Sequence, residues 1–127
     1  MTPTIVLDVV GLTPSLLRHA PNLQALARAG ASRPLSTVLP AVTTTVQSTL
    51  LTGLPPGGHG AVANGWYFRE LSEVWLWRQS NHLVQGEKVW EAAKRRDPAF
   101  TCAKLFWWYN MHSSADFSIT PRPLYPA

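Results

Sequence analysis

The sequence predicts an α/β fold, and three observations carry that expectation. Apolar, β-branched runs alternate along the chain with segments of helical periodicity. The first such run is apolar on both faces, as a strand buried within a parallel sheet requires. Glycine and proline stand at nearly every boundary between these segments. The expected layout is three parallel strands with helices covering the sheet.

Residues 4–10 read as the first buried strand, ended by Gly11. Thr13 then offers an N-cap, with Pro14 at the first helical position. A second helical piece begins at Pro21, places Leu23, Leu26 and Ala27 on one face, and stops at Gly30. Residues 35–39 form a short second strand closed by Pro40, and residues 43–52 a helix with Val46, Leu50 and Leu51 inward, terminated by Gly53. Residues 54–60 are a loop by composition, and residues 66–79 a β-hairpin or flap. Residues 87–96 predict an amphipathic helix. Val89, Trp90 and Ala93 face its core side, while Glu87, Glu91 and Arg95 form an i,i+4 charge row. Asp97-Pro98 breaks this helix, residues 101–106 are a third strand, and the three prolines of residues 120–127 leave only extended loop.

Composition narrows the function classes. The chain has 127 residues, 46% hydrophobic and 14% charged, which excludes a disordered protein. Cys102 is the only cysteine, which excludes an intrachain disulfide scaffold. No uncharged apolar run approaches the ~20 residues of a membrane span. The N-terminus lacks a basic region and Asp8 interrupts its apolar stretch, so no signal peptide is read and a cytoplasmic location is the default. Net charge is +4, which suits a phosphorylated substrate or nucleic acid, though an excess of this size more often only aids solubility. All six tryptophans fall between Trp66 and Trp108, and no run of basic residues interleaves with them. That arrangement favours core or subunit packing over stacking on nucleic-acid bases.

Asp8 is the sole carboxylate in the first half of the chain, near the C-terminal end of its strand, where open α/β sheets bind ligands. A carboxylate there needs a metal or a hydrogen-bonding partner. Thr43, Thr44 and Thr45 open a helix directly after a strand end, where unpaired amides and the helix dipole favour an anion. A threonine hydroxyl at such a place is either a cap or, once its proton is removed, a nucleophile. The Gly57-Gly58-His59-Gly60 run lacks the Gly-Lys-Ser/Thr ending of a phosphate loop. His19, His59, His82 and His112 show no i,i+3 or i,i+4 pairing, so no local zinc site is read. No Gly-x-Ser-x-Gly elbow is present, and Cys102 reads as a small core residue.

Taken in order, Ile5-Val-Leu-Asp8-Val-Val-Gly11, Pro21 through Gly30, Leu39-Pro-Ala-Val-Thr43 through Leu54, and His59-Gly-Ala-Val-Ala-Asn64 resemble the alkaline phosphatase superfamily. Within it they resemble the type I phosphodiesterase/nucleotide pyrophosphatase branch. The sulfatase branch is less similar, because no Cys or Ser followed by Pro and Arg stands at the nucleophile. The resemblance implies the N-terminal part of a three-layer sandwich with a mainly parallel sheet. It implies hydrolysis of phosphodiester or pyrophosphate bonds in a small phosphorylated substrate, through a phospho-threonine intermediate. By the same resemblance Thr43 is the nucleophile, Asp8 and Thr43 ligate one of two divalent ions, by family habit zinc, and Asn64 hydrogen-bonds a phosphoryl oxygen. Thr44 and Thr45 are register alternatives to Thr43.

The family's downstream Asp-x-x-x-His and Asp-His patterns do not occur after Asn64, so the second site's ligands are absent from the sequence. The expectation is that residues 1–127 are an incomplete N-terminal portion of one catalytic domain, inactive alone. Two alternatives accompany it: a phosphonoacetate hydrolase-like enzyme of the same superfamily, and a non-catalytic α/β module binding a partner or nucleic acid through its Trp-rich half. Neither a nucleic-acid partner nor a membrane segment is expected under the leading reading, which leaves oligomeric state open.

Overall fold

Residues 3–121 are described by a computed structural model, in which the chain divides into two units, Met1–Ser36 and Thr37–Ala127. In the first unit the helical signals act much as expected. The Thr13 carbonyl accepts the Leu16 and Leu17 amides, both at 3.0 Å, and its hydroxyl also accepts Leu16 N–H at 3.3 Å. The result is a 3₁₀ turn over Leu17–His19 rather than a full helix from Thr13. Helix α1 spans Pro21–Ala29, begins on its proline and ends at Gly30, whose amide bonds the Leu26 carbonyl at 2.9 Å.

The two strands expected near the N-terminus are not formed. Residues 4–10 and 35–39 carry no regular strand structure, and Ile5, Val10, Leu35 and Leu39 are about four-fifths exposed. A strand exists only through a ladder with another strand, and the described residues supply these segments with none. Apolar patterning specifies a surface to be covered, and it does not itself supply the cover. Leu26, expected inward on α1, is likewise exposed.

The second unit opens with α2, Thr43–Thr52, at the predicted bounds. Gly53 closes it in the left-handed conformation (φ 69°), donating to the Thr49 carbonyl at 2.8 Å. Its burial reverses the expectation. Thr44, Thr45, Gln47 and Ser48 are buried, Leu50 is exposed, and Val46 and Leu51 are half-buried. The polar side turns inward because partners meet part of it there: Gln47 Oε1, for example, accepts the Trp108 amide at 3.0 Å. One helical turn, α3 at Pro56–His59, forms within the segment that composition marks as loop and packs against α2.

The expected hairpin is present as β1, Gly65–Phe68, and β2, Glu73–Leu76, paired antiparallel with Trp66 opposite Trp75. Helix α4 spans Val89–Arg96 and buries Trp90, while Val89 stays exposed. Glu91 accepts the Lys88 amide (2.8 Å) and the Ser114 hydroxyl (2.6 Å), so the expected charge row reduces to a two-bond Glu87–Arg95 pair. Within the third expected strand lies β3, Ala103–Leu105, paired in parallel with β4, Phe117–Ile119. Asp116 secures the start of this pair by accepting the Cys102 amide and Lys94, each at 2.7 Å. The mixed α/β class therefore stands, with one parallel and one antiparallel pair among the described residues.

Ala61, Val84 and Tyr109 form the core of this unit, with Trp66, Leu83 and Trp108 packed against it. None of the six tryptophans is exposed, so the uncovered apolar surface is mostly aliphatic rather than tryptophan. Cys102 is half-buried and unpaired, and burial raises its thiol pKa, as a packing role implies. Of the loop expected over residues 120–127, residues 122–127 lie outside the described residues. Among the described residues no helix is long and apolar enough to cross a membrane.

Candidate functional site

The start of α2 is where chemistry-bearing residues gather. Val42 is extended and leaves the helix without a side-chain cap of its own. Val46 N–H is the first to bond back, to the Val42 carbonyl at 3.0 Å, so the amides of Thr43, Thr44 and Thr45 precede the intrahelical ladder. A residue twenty positions away meets one of the three: Asn64 Oδ1 accepts Thr44 N–H at 3.1 Å. The Thr44 hydroxyl donates to the Ala63 carbonyl (2.7 Å) and also lies 2.9 Å from Asn64 Oδ1. Asn64 thus caps α2 from outside it.

This arrangement sorts the three threonines. Thr44 and Thr45 are buried, and the Thr44 hydroxyl is committed inward, whereas Thr43 at the first helical position is half-buried. It also fixes the Asn64 carboxamide. With the oxygen turned to Thr44, the amide nitrogen is the end left for other contacts, and it makes no hydrogen bond among the described residues. A carboxamide N–H₂ beside free helix N-terminal amides is a donor set for an anion.

Beneath Thr44 lies Tyr109. Its hydroxyl accepts Trp66 Nε1–H at 3.3 Å, and burial raises the phenol pKa, opposed by hydrogen bonds with Trp66 and Thr44. His59, at the start of the segment leading to Asn64, is fully buried. Its Nδ1 accepts the Ala61 amide at 3.1 Å, and its Nε2 lies 2.9 Å from Thr49 Oγ1 on α2. Burial lowers its pKa and favours the neutral ring. Sequence reading assigned His59 no role of its own beyond its place in the His59–Asn64 run. The position is set by packing with a helix ten residues earlier, which no local spacing reveals.

Thr43 and Asn64 both stand in the second unit, at the α2 N-terminus and in the segment that caps it, while Asp8 belongs to the first unit and is exposed. A carboxylate and a hydroxyl are hard oxygen donors of the kind divalent ions accept, yet a closed site takes more than two protein donors. Among the described residues no group of three or more His, Cys, Asp or Glu is placed to hold an ion. Asp8 and Thr43 thus each offer one oxygen donor, fewer than a closed site takes. The structure also stacks two of the scattered histidines: His82 and His112 lie with ring centroids 5.1 Å apart, and the Ser80 hydroxyl is 3.2 Å from His112 Nδ1.

Comparison with known families matches the chain to type I phosphodiesterase/nucleotide pyrophosphatase over residues 4–127. No curated protein matches the chain.

Proposed function

The chain belongs to the type I phosphodiesterase/nucleotide pyrophosphatase family, and from that premise we propose that it carries the nucleophile half of a site hydrolysing phosphodiester or pyrophosphate bonds. The observation that supports this reading is the α2 N-terminus, where a half-buried threonine and amides without a hydrogen-bond partner among the described residues meet the Asn64 carboxamide.

In this reading Thr43 Oγ gives its proton to solvent and attacks phosphorus, the bond to the leaving oxygen breaks, and the leaving group departs with the electron pair. Water then cleaves the phospho-threonine and restores the hydroxyl. The Asn64 carboxamide and the free amides of Thr43 and Thr45 hold the non-bridging oxygens, and their preorganised dipoles stabilise charge that grows in the transition state. Thr44 is the spacer whose amide and hydroxyl aim Asn64. The family is generally metal-dependent, and Asp8 and Thr43 are the residues here that would ligate a divalent ion. When bound, such an ion lowers the pKa of a ligating hydroxyl and neutralises phosphoryl charge. Two ions need more donors than these, so the 127 residues alone are proposed to be inactive.

The test is hydrolysis of bis(p-nitrophenyl) phosphate, with added zinc, by the protein as the cell makes it. Thr43→Ala abolishes turnover, and mass spectrometry of quenched wild type finds a p-nitrophenyl phosphoryl group on Thr43. Undiminished turnover in Thr43→Ala overturns the assignment. Comparing a diester, a monoester and a phosphonate as substrates identifies the bond cleaved.

A further inference from the structure

The segment from His59 to Asn64 runs beside α2 and is fastened to it at both ends. At one end His59 Nε2 meets Thr49, and at the other Asn64 and Ala63 meet Thr44. Thr44 and Thr49 are separated by about 7.5 Å along the helix at 1.5 Å per residue. Five residues of extended chain reach about 17 Å. The segment therefore has slack, and its length alone does not determine where Asn64 sits. Two local features take up that slack. Gly60 adopts φ +81° and reverses the chain directly after His59. The Ala61 amide is thereby brought back onto the His59 ring.

We infer that His59 is the positioning residue for Asn64: its Nδ1, by accepting the Ala61 amide, sets the path of the segment that carries Asn64 to the α2 N-terminus. The ring's chemistry suits both contacts at once. A backbone N–H can only donate, so Nδ1 is the acceptor, the ring proton is on Nε2, and Nε2 donates to Thr49 Oγ1. Gln85 N–H on the His59 carbonyl (2.9 Å) holds the residue's backbone. His59 touches no substrate in this picture; it acts through Asn64. The inference rests on the proposed role of Asn64 for its functional meaning, but its geometry stands without it.

The test separates the two ring nitrogens. An asparagine oxygen can stand where Nδ1 does, and a glutamine amide can stand where Nε2 does. Amide exchange at Thr44 and Ala61 is measured by NMR in wild type, His59→Asn, His59→Gln and His59→Ala, with the Trp90 indole as the reporter of an intact fold. His59→Asn keeps the acceptor and stays near wild type. His59→Gln and His59→Ala exchange roughly tenfold faster at Thr44, the equivalent of one lost hydrogen bond. In the turnover assay the same two variants raise KM for the diester more than they lower kcat, and His59→Asn restores it. Equal loss in His59→Asn and His59→Ala means packing only and overturns the inference, as does unchanged Thr44 exchange in every folded variant. Where His59→Ala fails to fold, the Asn and Gln pair still decides. Should Thr43→Ala retain full turnover, the proposed function fails while the exchange pattern continues to judge His59 separately.

Discussion

A single residue's environment overrules its type most clearly at Lys104. This lysine is 4% exposed, and its ammonium donates to the Trp108 and Tyr109 carbonyls at 2.8 and 3.0 Å, above the Trp90 ring. Burial lowers its pKa from 10.5 to about 8. The folded state thus disfavours the charged amine, while the unfolded chain keeps it protonated up to its ordinary value. Below pH 8 the full penalty applies. Between pH 8 and 10.5 the folded lysine sheds its proton first, so stability attributable to this group rises with pH, by about 3 kcal/mol at most. Urea midpoints taken across that range check this against Lys104→Met, in which the rise is absent; parallel curves for the two proteins refute it. At Thr44 the same principle runs the other way: a residue that composition offers as a nucleophile is occupied in aiming Asn64.

At the scale of elements, helices α1, α2 and α4 and strands β1, β2 and β3 were legible, whereas the two strands expected before Thr43 do not form. Helix α2 matches its predicted bounds because its signals are local: a proline before it, a glycine after it, and no breaker between. The left-handed Gly53 has open space around a prospective Cβ, so Gly53→Ala meets only backbone strain. That substitution lowers stability by about 1 kcal/mol in denaturant titration; no change in midpoint contradicts the role of its conformation. Strand formation at residues 4–10 depends on a partner elsewhere, which no window of sequence contains. The inward face of α2 was misread for a related reason. Gln47 is accounted for by the Trp108 amide, 61 residues away, and Thr44 by Asn64, 20 residues away. Periodicity weighs hydrophobicity and has no term for a distant acceptor. At the candidate site, Thr43 and Asn64 are proposed through the resemblance, whereas the His59 bridge required coordinates.

For the molecule as a whole, the dominant property is uncovered aliphatic surface. Ile5, Val6, Leu7 and Val10 are all more than two-thirds exposed within one β-branched run. Such a run is a template for pairing with another chain. One lysine within it, as in Val6→Lys, raises the concentration at which the protein scatters light, roughly severalfold, and leaves the unfolding midpoint of the second unit unchanged. An unaltered threshold places the self-association elsewhere. The clamp on Asn64 has a consequence on a slower clock. Gly65 follows Asn64, and an asparagine before glycine is the pairing in which the side chain closes most readily onto the next backbone nitrogen, since no Cβ obstructs it. Here Oδ1 is held by Thr44, and the Asn64 carbonyl accepts the Trp77 amide at 2.9 Å, so closure must first free the carboxamide and turn a backbone anchored in the hairpin. The same bonds that aim the carboxamide therefore also preserve it. Where those contacts loosen, Asn64 ages into an aspartate, placing negative charge where the proposed function has phosphoryl oxygens bind.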